Sequence, residues 1–177
     1  MRIFTAIEIP VEAKISIKEI INNINTEAIL KWVTKENLHI TLKFIGEIDS
    51  PDPIENVLND VSKDFQPFKI SLSGLGAFPS KNRIKVLWVG VDEGKNQLKE
   101  LYKNIEKRII QFGFKKEEKD FTPHVTIGRV KKGLLKFPNI DFFYPPFLAR
   151  KITLFESILT PSGPIYKILY SFPEDTD

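Results

Sequence analysis

The sequence predicts an α+β chain built as two similar lobes that face each other across a cleft, and three observations predict it. The only two histidines stand in the same frame, His39-Ile40-Thr41 and His124-Val125-Thr126. The spacing from 39 to 124 is close to half of the 177 residues. Each frame lies in an apolar, β-branched run preceded by a strand pattern and an amphipathic helix pattern. Strand side chains alternate faces, so His39 and Thr41 share one face while Ile40 and Leu42 take the other. His124 and Thr126 do the same against Val125 and Ile127. The halves match weakly outside this frame, as expected of a diverged internal duplication within one domain, residues 1–177, of two interleaved lobes.

Each element follows from local pattern. Arg2 to Ile9 alternates and stops at Pro10, which makes a strand. Val11 to Ile24 places Ile17, Ile20, Ile21 and Ile24 at helical spacing. Ala28 to Thr34, with Trp32, is a short extended or loop segment. Leu38 to Ile45 is the first histidine strand, closed by Gly46. Ser50 caps a second helix with Pro51 in its first turn. Ile54, Val57, Leu58, Val61 and Phe65 form its apolar stripe, and Pro67 ends it. Phe68 to Leu75 alternates as a strand broken by Gly74 and Gly76. Pro79 to Asn82 is a turn, and Ile84 to Val91 is a buried strand around Trp88.

Gly94 opens a third helix, buried through Leu98, Leu101, Tyr102, Ile105, Ile109 and Phe112, with Gly113 at its C-terminal cap. Lys115 to Asp120 is a solvated charged loop before the second histidine strand, His124 to Val130. Lys131 to Asn139 allows a short helical turn, and Phe142 to Pro146 reads as a packed loop. Phe147 to Thr160 is one long strand, Pro161 to Pro164 a tight turn, and Ile165 to Phe172 the returning strand of a hairpin. Glu174 to Asp177 is an acidic tail expected to be disordered. Trp32 and Trp88 are expected in the core.

Composition removes several function classes. There is no cysteine, so disulfides, thiolate catalysis and cysteine-based zinc sites are excluded. A net charge of +3 permits a polyanionic ligand without demanding one. The N-terminus lacks a signal-peptide apolar core and no apolar run is long enough to span a bilayer, so the expectation is a cytoplasmic protein with no membrane partner. A monomer is expected as well, though nothing in the sequence predicts the oligomeric state. Lys and Glu carry most of the charge and Met occurs once, a composition shared by thermophilic proteins and AT-rich genomes.

Histidine titrates nearest neutrality, so two facing imidazoles can act as a base and an acid together. In-line displacement at phosphorus suits such a pair, because nucleophile and leaving group lie on opposite sides of the phosphorus. Thr41 and Thr126 hydroxyls could donate to the non-bridging oxygens, where charge builds. Two histidines without a third carboxylate ligand are too few for zinc, so neither metal nor cofactor is expected. Alternation puts Lys43 on the His39 face, as a further phosphate contact.

The extended motifs Glu36-Asn37-Leu38-His39-Ile40-Thr41-Leu42-Lys43-Phe44-Ile45-Gly46 and Phe121-Thr122-Pro123-His124-Val125-Thr126-Ile127-Gly128-Arg129 resemble those of the two-histidine (2H) phosphoesterases. Within that superfamily they look like the RNA 2′,3′-cyclic phosphodiesterase branch, also called LigT-like or 2′-5′ RNA ligase. Arg2-Ile3-Phe4-Thr5-Ala6-Ile7 resembles that family's opening strand, and Leu159-Thr160-Pro161-Ser162-Gly163-Pro164-Ile165-Tyr166 its closing hairpin.

The resemblance implies a bilobal, pseudo-two-fold fold with antiparallel sheets lining a central cleft and helices outside. It implies hydrolysis of 2′,3′-cyclic phosphates, on RNA ends or nucleosides, to 2′-phosphates without metal, and a reverse 2′-5′ joining activity. It assigns catalysis to His39 and His124 and phosphate contacts to Thr41 and Thr126, without saying which histidine is the acid. Arg129 closes the second motif; alternation turns it away from His124 unless Gly128 marks a bulge. Phe4 and Tyr166 are candidates to stack on the base or ribose. Two rival readings remain: a binding module without turnover, and a sibling phosphodiesterase or exonuclease.

Overall fold

The computed structural model describes residues 1–174; the end of the expected acidic tail, residues 175–177, lies outside the described residues. The strands are β1 (Arg2–Glu8), β2 (Ile29–Trp32), β3 (His39–Glu47), β4 (Phe68–Ser80), β5 (Arg83–Val91), β6 (His124–Lys132), β7 (Phe143–Ala149), β8 (Ile152–Thr160) and β9 (Gly163–Phe172). The helices are α1 (Val11–Asn22), α2 (Asp52–Lys63) and α3 (Lys95–Ile109). The strands form one antiparallel sheet in the order β7-β4-β5-β6-β3-β1-β8-β9, with β2 beside β6.

The element order contains a repeat. β1-α1-β3 and β5-α3-β6 repeat one pattern, and each ends in a histidine strand at the middle of the sheet. β3 and β6 pair at Ile40 and Val125. Further along β6, the edge facing β3 is taken by β2, where Trp32 pairs with Gly128. The last hairpin, β8–β9, returns to pair with β1, so the first lobe is completed by the end of the chain.

Burial separates the two faces of the sheet. Ile40, Leu42, Val125 and Ile127 pack into the main core with Ala13, Ile17 and Ile21 of α1, Ile54 and Leu58 of α2, and Leu98 and Ile105 of α3. Among the described residues the opposite face holds a second, small cluster, Phe4, Ala6 and Phe155 with Tyr166 against it. That face forms the cleft. Among the described residues no helix is long and apolar enough to cross a membrane.

Several local expectations are corrected. β4 runs through Gly74 and Gly76 to Ser80; a register shift between Leu72 and Leu75 absorbs the left-handed Gly74 (φ 72°), so the glycines bend the strand instead of ending it. Ile29–Trp32, left open between extended and loop, is a strand because it finds a partner edge on β6. Residues 133–142 carry no helix. The Pro-rich segment is β7, an outer strand whose Pro145 and Pro146 fall in a register shift, where their missing N–H groups break no ladder bond. The long strand expected from Phe147 is interrupted between Ala149 and Ile152.

Candidate active site

His39 and His124 each open a strand and are held in the same way. The Nδ1 of His39 lies 2.6 Å from the carbonyl oxygen of Asn37, and that of His124 lies 2.6 Å from the carbonyl oxygen of Thr122. A carbonyl only accepts, so each Nδ1 carries a proton and each neutral ring presents Nε2 as its acceptor. Thr41 Oγ1 sits 2.7 Å from Nε2 of His39 and donates to it. The two carbonyls are themselves positioned. The Asn37 side-chain amide donates to Pro164 O at the tip of the β8–β9 hairpin (2.9 Å), and Phe121, next to Thr122, stacks on Tyr102 of α3 at 4.5 Å.

Beyond the threonines both strands carry the same irregularity. Thr41 pairs with Ala6 but Lys43 with Thr5, so Leu42 is an extra residue; Thr126 pairs with Trp88 but Gly128 with Leu87, so Ile127 is one too. Each bulge reverses the alternation that follows. Lys43 is therefore not on the His39 face. It is buried on the helix side and pairs with Glu106 of α3 at 2.9 Å, which corrects its expected phosphate role. Phe44 turns into the cleft instead, and its counterpart Arg129 does the same across the cleft. The bulge at Gly128 is the device that brings Arg129 onto the face of His124.

The cleft has a volume of about 810 Å³ and is lined by both histidines, both threonines, Arg129, Phe4 and Tyr166. It thus collects every residue expected at the site except Lys43. Phe4 lies 5.0 Å from the His39 ring and Tyr166 5.4 Å, edge-on. His124 is enclosed by Phe78 at 5.1 Å and Trp88 at 5.6 Å. Trp88 is therefore on the cleft face, not in the main core. Its ring lies across Gly76, where a Cβ would come within 2.2 Å. Trp32 packs over Gly128 against the main core, as expected of it, and also contributes to the cleft wall.

The sequence reading passed over Arg2, Lys31, Asn37, Phe44 and Lys131, all of which line the cleft. Four of the lining residues are charged (Arg2, Lys31, Arg129 and Lys131); all are cationic, although the chain as a whole carries only +3. The signal that could have found Phe44 was the repeat itself, since it occupies the place in the first motif that Arg129 occupies in the second. Among the described residues no group of three or more His, Asp and Glu is placed to hold a metal ion.

Burial lowers the pKa of both histidines, outweighing the opposing pull of the carbonyl each one donates to. His39 falls from 6.5 to about 4, with Lys14 and His124 adding to the burial effect; for His124, Arg129 adds to it. A native pKa below the unfolded one means that the unfolded chain binds the proton first as pH falls. The His39 contribution is complete above about pH 6.5 and is lost between there and about pH 4. At one pKa unit per 1.36 kcal/mol, the loss is about 3 kcal/mol. Urea unfolding of wild type and His39→Asn between pH 7 and pH 4 should show a smaller acid loss in the variant by about that amount, and parallel curves would refute the assignment.

Comparison with known proteins places this arrangement. A profile of the 2′-5′ RNA ligase superfamily matches residues 10–135. The RNA 2′,3′-cyclic phosphodiesterase of Methanocaldococcus jannaschii is 40% identical over 178 residues, covering 96% of this chain and 98% of its own. That of Archaeoglobus fulgidus is 38% identical over 179 residues, covering 97% and 99%. Among solved structures, TT0787 of Thermus thermophilus superposes with a TM-score of 0.86 at 24% identity, covering 97% of both chains. Escherichia coli LigT complexed with 3′-AMP superposes with a TM-score of 0.78 at 23% identity, covering 97% of this chain and 96% of its own.

Proposed function

The chain belongs to the 2′-5′ RNA ligase superfamily, and from that premise we propose that its two-histidine cleft opens 2′,3′-cyclic phosphates at RNA 3′ ends. It is an RNA 2′,3′-cyclic phosphodiesterase, a hydrolase. The observation that carries the mechanism is the equivalence of the two imidazoles: each has Nδ1–H held by a backbone carbonyl and turns its accepting Nε2 to one cleft, that of His39 accepting from the Thr41 hydroxyl in the absence of substrate.

Water attacks phosphorus in line with the bond to O3′. One Nε2 takes the proton of the water as the new P–O bond forms. The opposing imidazolium gives its proton to O3′ as the P–O3′ bond breaks, leaving a 2′-phosphate and a free 3′-hydroxyl. On substrate binding the Thr41 hydroxyl turns from Nε2 of His39 to a non-bridging oxygen, Thr126 donates to the other, and the Arg129 guanidinium offsets their charge. Both histidines are neutral in the free cleft near pH 7. The phosphodiester anion between them raises their proton affinity and so supplies the imidazolium. Phe4 and Tyr166 take the ribose or base. Both histidines come from one chain, so the site is complete in a monomer, and an RNA substrate fits a cytoplasmic enzyme.

The test is product analysis on chelator-treated protein, using the four nucleoside 2′,3′-cyclic monophosphates and an oligonucleotide ending in a cyclic phosphate. The expected product is the 2′-phosphate alone, at a rate the chelator does not change. A 3′-phosphate product, or activity that returns only with added metal, would overturn the mechanism. Run in reverse, a cyclic end and a 5′-hydroxyl end should join through a 2′-5′ bond.

A further inference from the structure

The cleft continues past the histidines on one side, along the first lobe. Phe44 is 48% exposed, unusual for a large aromatic in a central strand, and only the bulge at Leu42 turns it to the cleft. The Arg2 guanidinium lies over its ring at 4.8 Å. Phe44 also pairs across the sheet with Phe4, which touches the His39 ring. Successive same-face positions on a strand are roughly 7 Å apart, so the Phe44 ring lies about one extended nucleotide beyond the threonine that faces the phosphate. Phe44 thus presents an aromatic face and a neighbouring cation, the pair that holds a base of single-stranded nucleic acid without reading its identity.

The second lobe offers no matching shelf, because the equivalent position is Arg129. The pseudo-two-fold is therefore broken at one residue pair, aromatic on the His39 side and cationic on the His124 side. A charged lining that is wholly cationic, on a chain of net charge +3, fits a phosphate backbone running through this cleft.

We infer that Arg2 and Phe44 form a subsite for the nucleotide preceding the cyclic end, so that the enzyme selects RNA 3′ ends over free nucleoside cyclic phosphates. The inference rests on the phosphodiesterase reading above and adds the source of substrate length selection. The base is stacked, not read, so the preference extends to any penultimate nucleotide.

The experiment compares kcat/KM for a nucleoside 2′,3′-cyclic monophosphate with that for a dinucleotide ending in the same group. It uses wild type, Phe44→Ala, Phe44→Leu, Phe44→Trp and Arg2→Gln. Wild type should favour the dinucleotide by about tenfold or more, the size of one base stacked on an aromatic ring, with most of the difference in KM. Phe44→Ala and Phe44→Leu should bring the ratio close to one, Arg2→Gln should reduce it in part, and Phe44→Trp should keep it. Phe44→Leu retains apolar bulk, so it remains informative if Phe44→Ala folds poorly. A wild-type ratio near one, or a ratio unchanged in both Phe44→Ala and Phe44→Leu, overturns the subsite while leaving the phosphodiesterase reading standing. Hydrolysis of neither substrate overturns both.

Discussion

His39→Asn and His124→Asn should each lower kcat on a cyclic phosphate end by about 10²–10⁴-fold, the usual worth of one positioned proton-transfer group. Asparagine has a similar reach and its amide can still donate to the carbonyl that Nδ1–H now holds, Asn37 O or Thr122 O. The local backbone keeps its partner while the titrating nitrogen disappears. The two losses should not multiply. The histidines act as a pair on one displacement, so the double variant should be close to the poorer single one. Binding of a 2′-nucleotide, measured by calorimetry, should weaken far less than turnover, because the threonines and Arg129 remain. Turnover near wild type in either variant would remove the paired acid–base mechanism.

The second large effect lies on the other face of the sheet. Lys43→Met should destabilise the fold by about 3–5 kcal/mol, because it leaves the Glu106 carboxylate buried without its cation. Both side chains are about nine-tenths buried, and the Glu106 carboxylate also accepts from the Glu117 N–H at 2.7 Å. Glu106 of α3 thus links the loop ahead of the His124 motif to the strand that carries His39. Glu106→Gln keeps a polar acceptor but strands the ammonium, so it should also be costly. The double variant Lys43→Met/Glu106→Leu should recover most of the loss, since an apolar pair of similar volume often replaces a buried ion pair without penalty. Urea unfolding of the three variants checks the set; a single-variant loss below about 1 kcal/mol would mean that the pair is effectively solvated.

The helices were legible because their apolar stripes repeat at a period the chain itself sets. The spacing of Ile54, Val57, Leu58 and Val61 predicted α2, and all four are buried. The histidine strands were legible for the same reason at period two. What was misread or left open depends on a partner strand far away in sequence. Ala28 to Thr34 contains a strand only because β6 offers an edge, and the glycines of β4 bend it only because β5 shifts register alongside them. Trp88 looked like a core residue by size and hydropathy. Its true place was set by Gly76, whose lack of a side chain leaves room for the ring on the cleft side of the sheet.

The sequence by itself determined the repeated His-x-Thr frame and that each imidazole shares a face with a hydroxyl, because alternation within one strand needs no knowledge of the rest of the fold. The tertiary structure alone decided which neighbours joined them. A bulge is a mismatch in count between two paired strands, and no single strand carries a record of it. One extra residue at Leu42 sent Lys43 to the helices and Phe44 to the cleft, and one at Ile127 brought Arg129 beside His124.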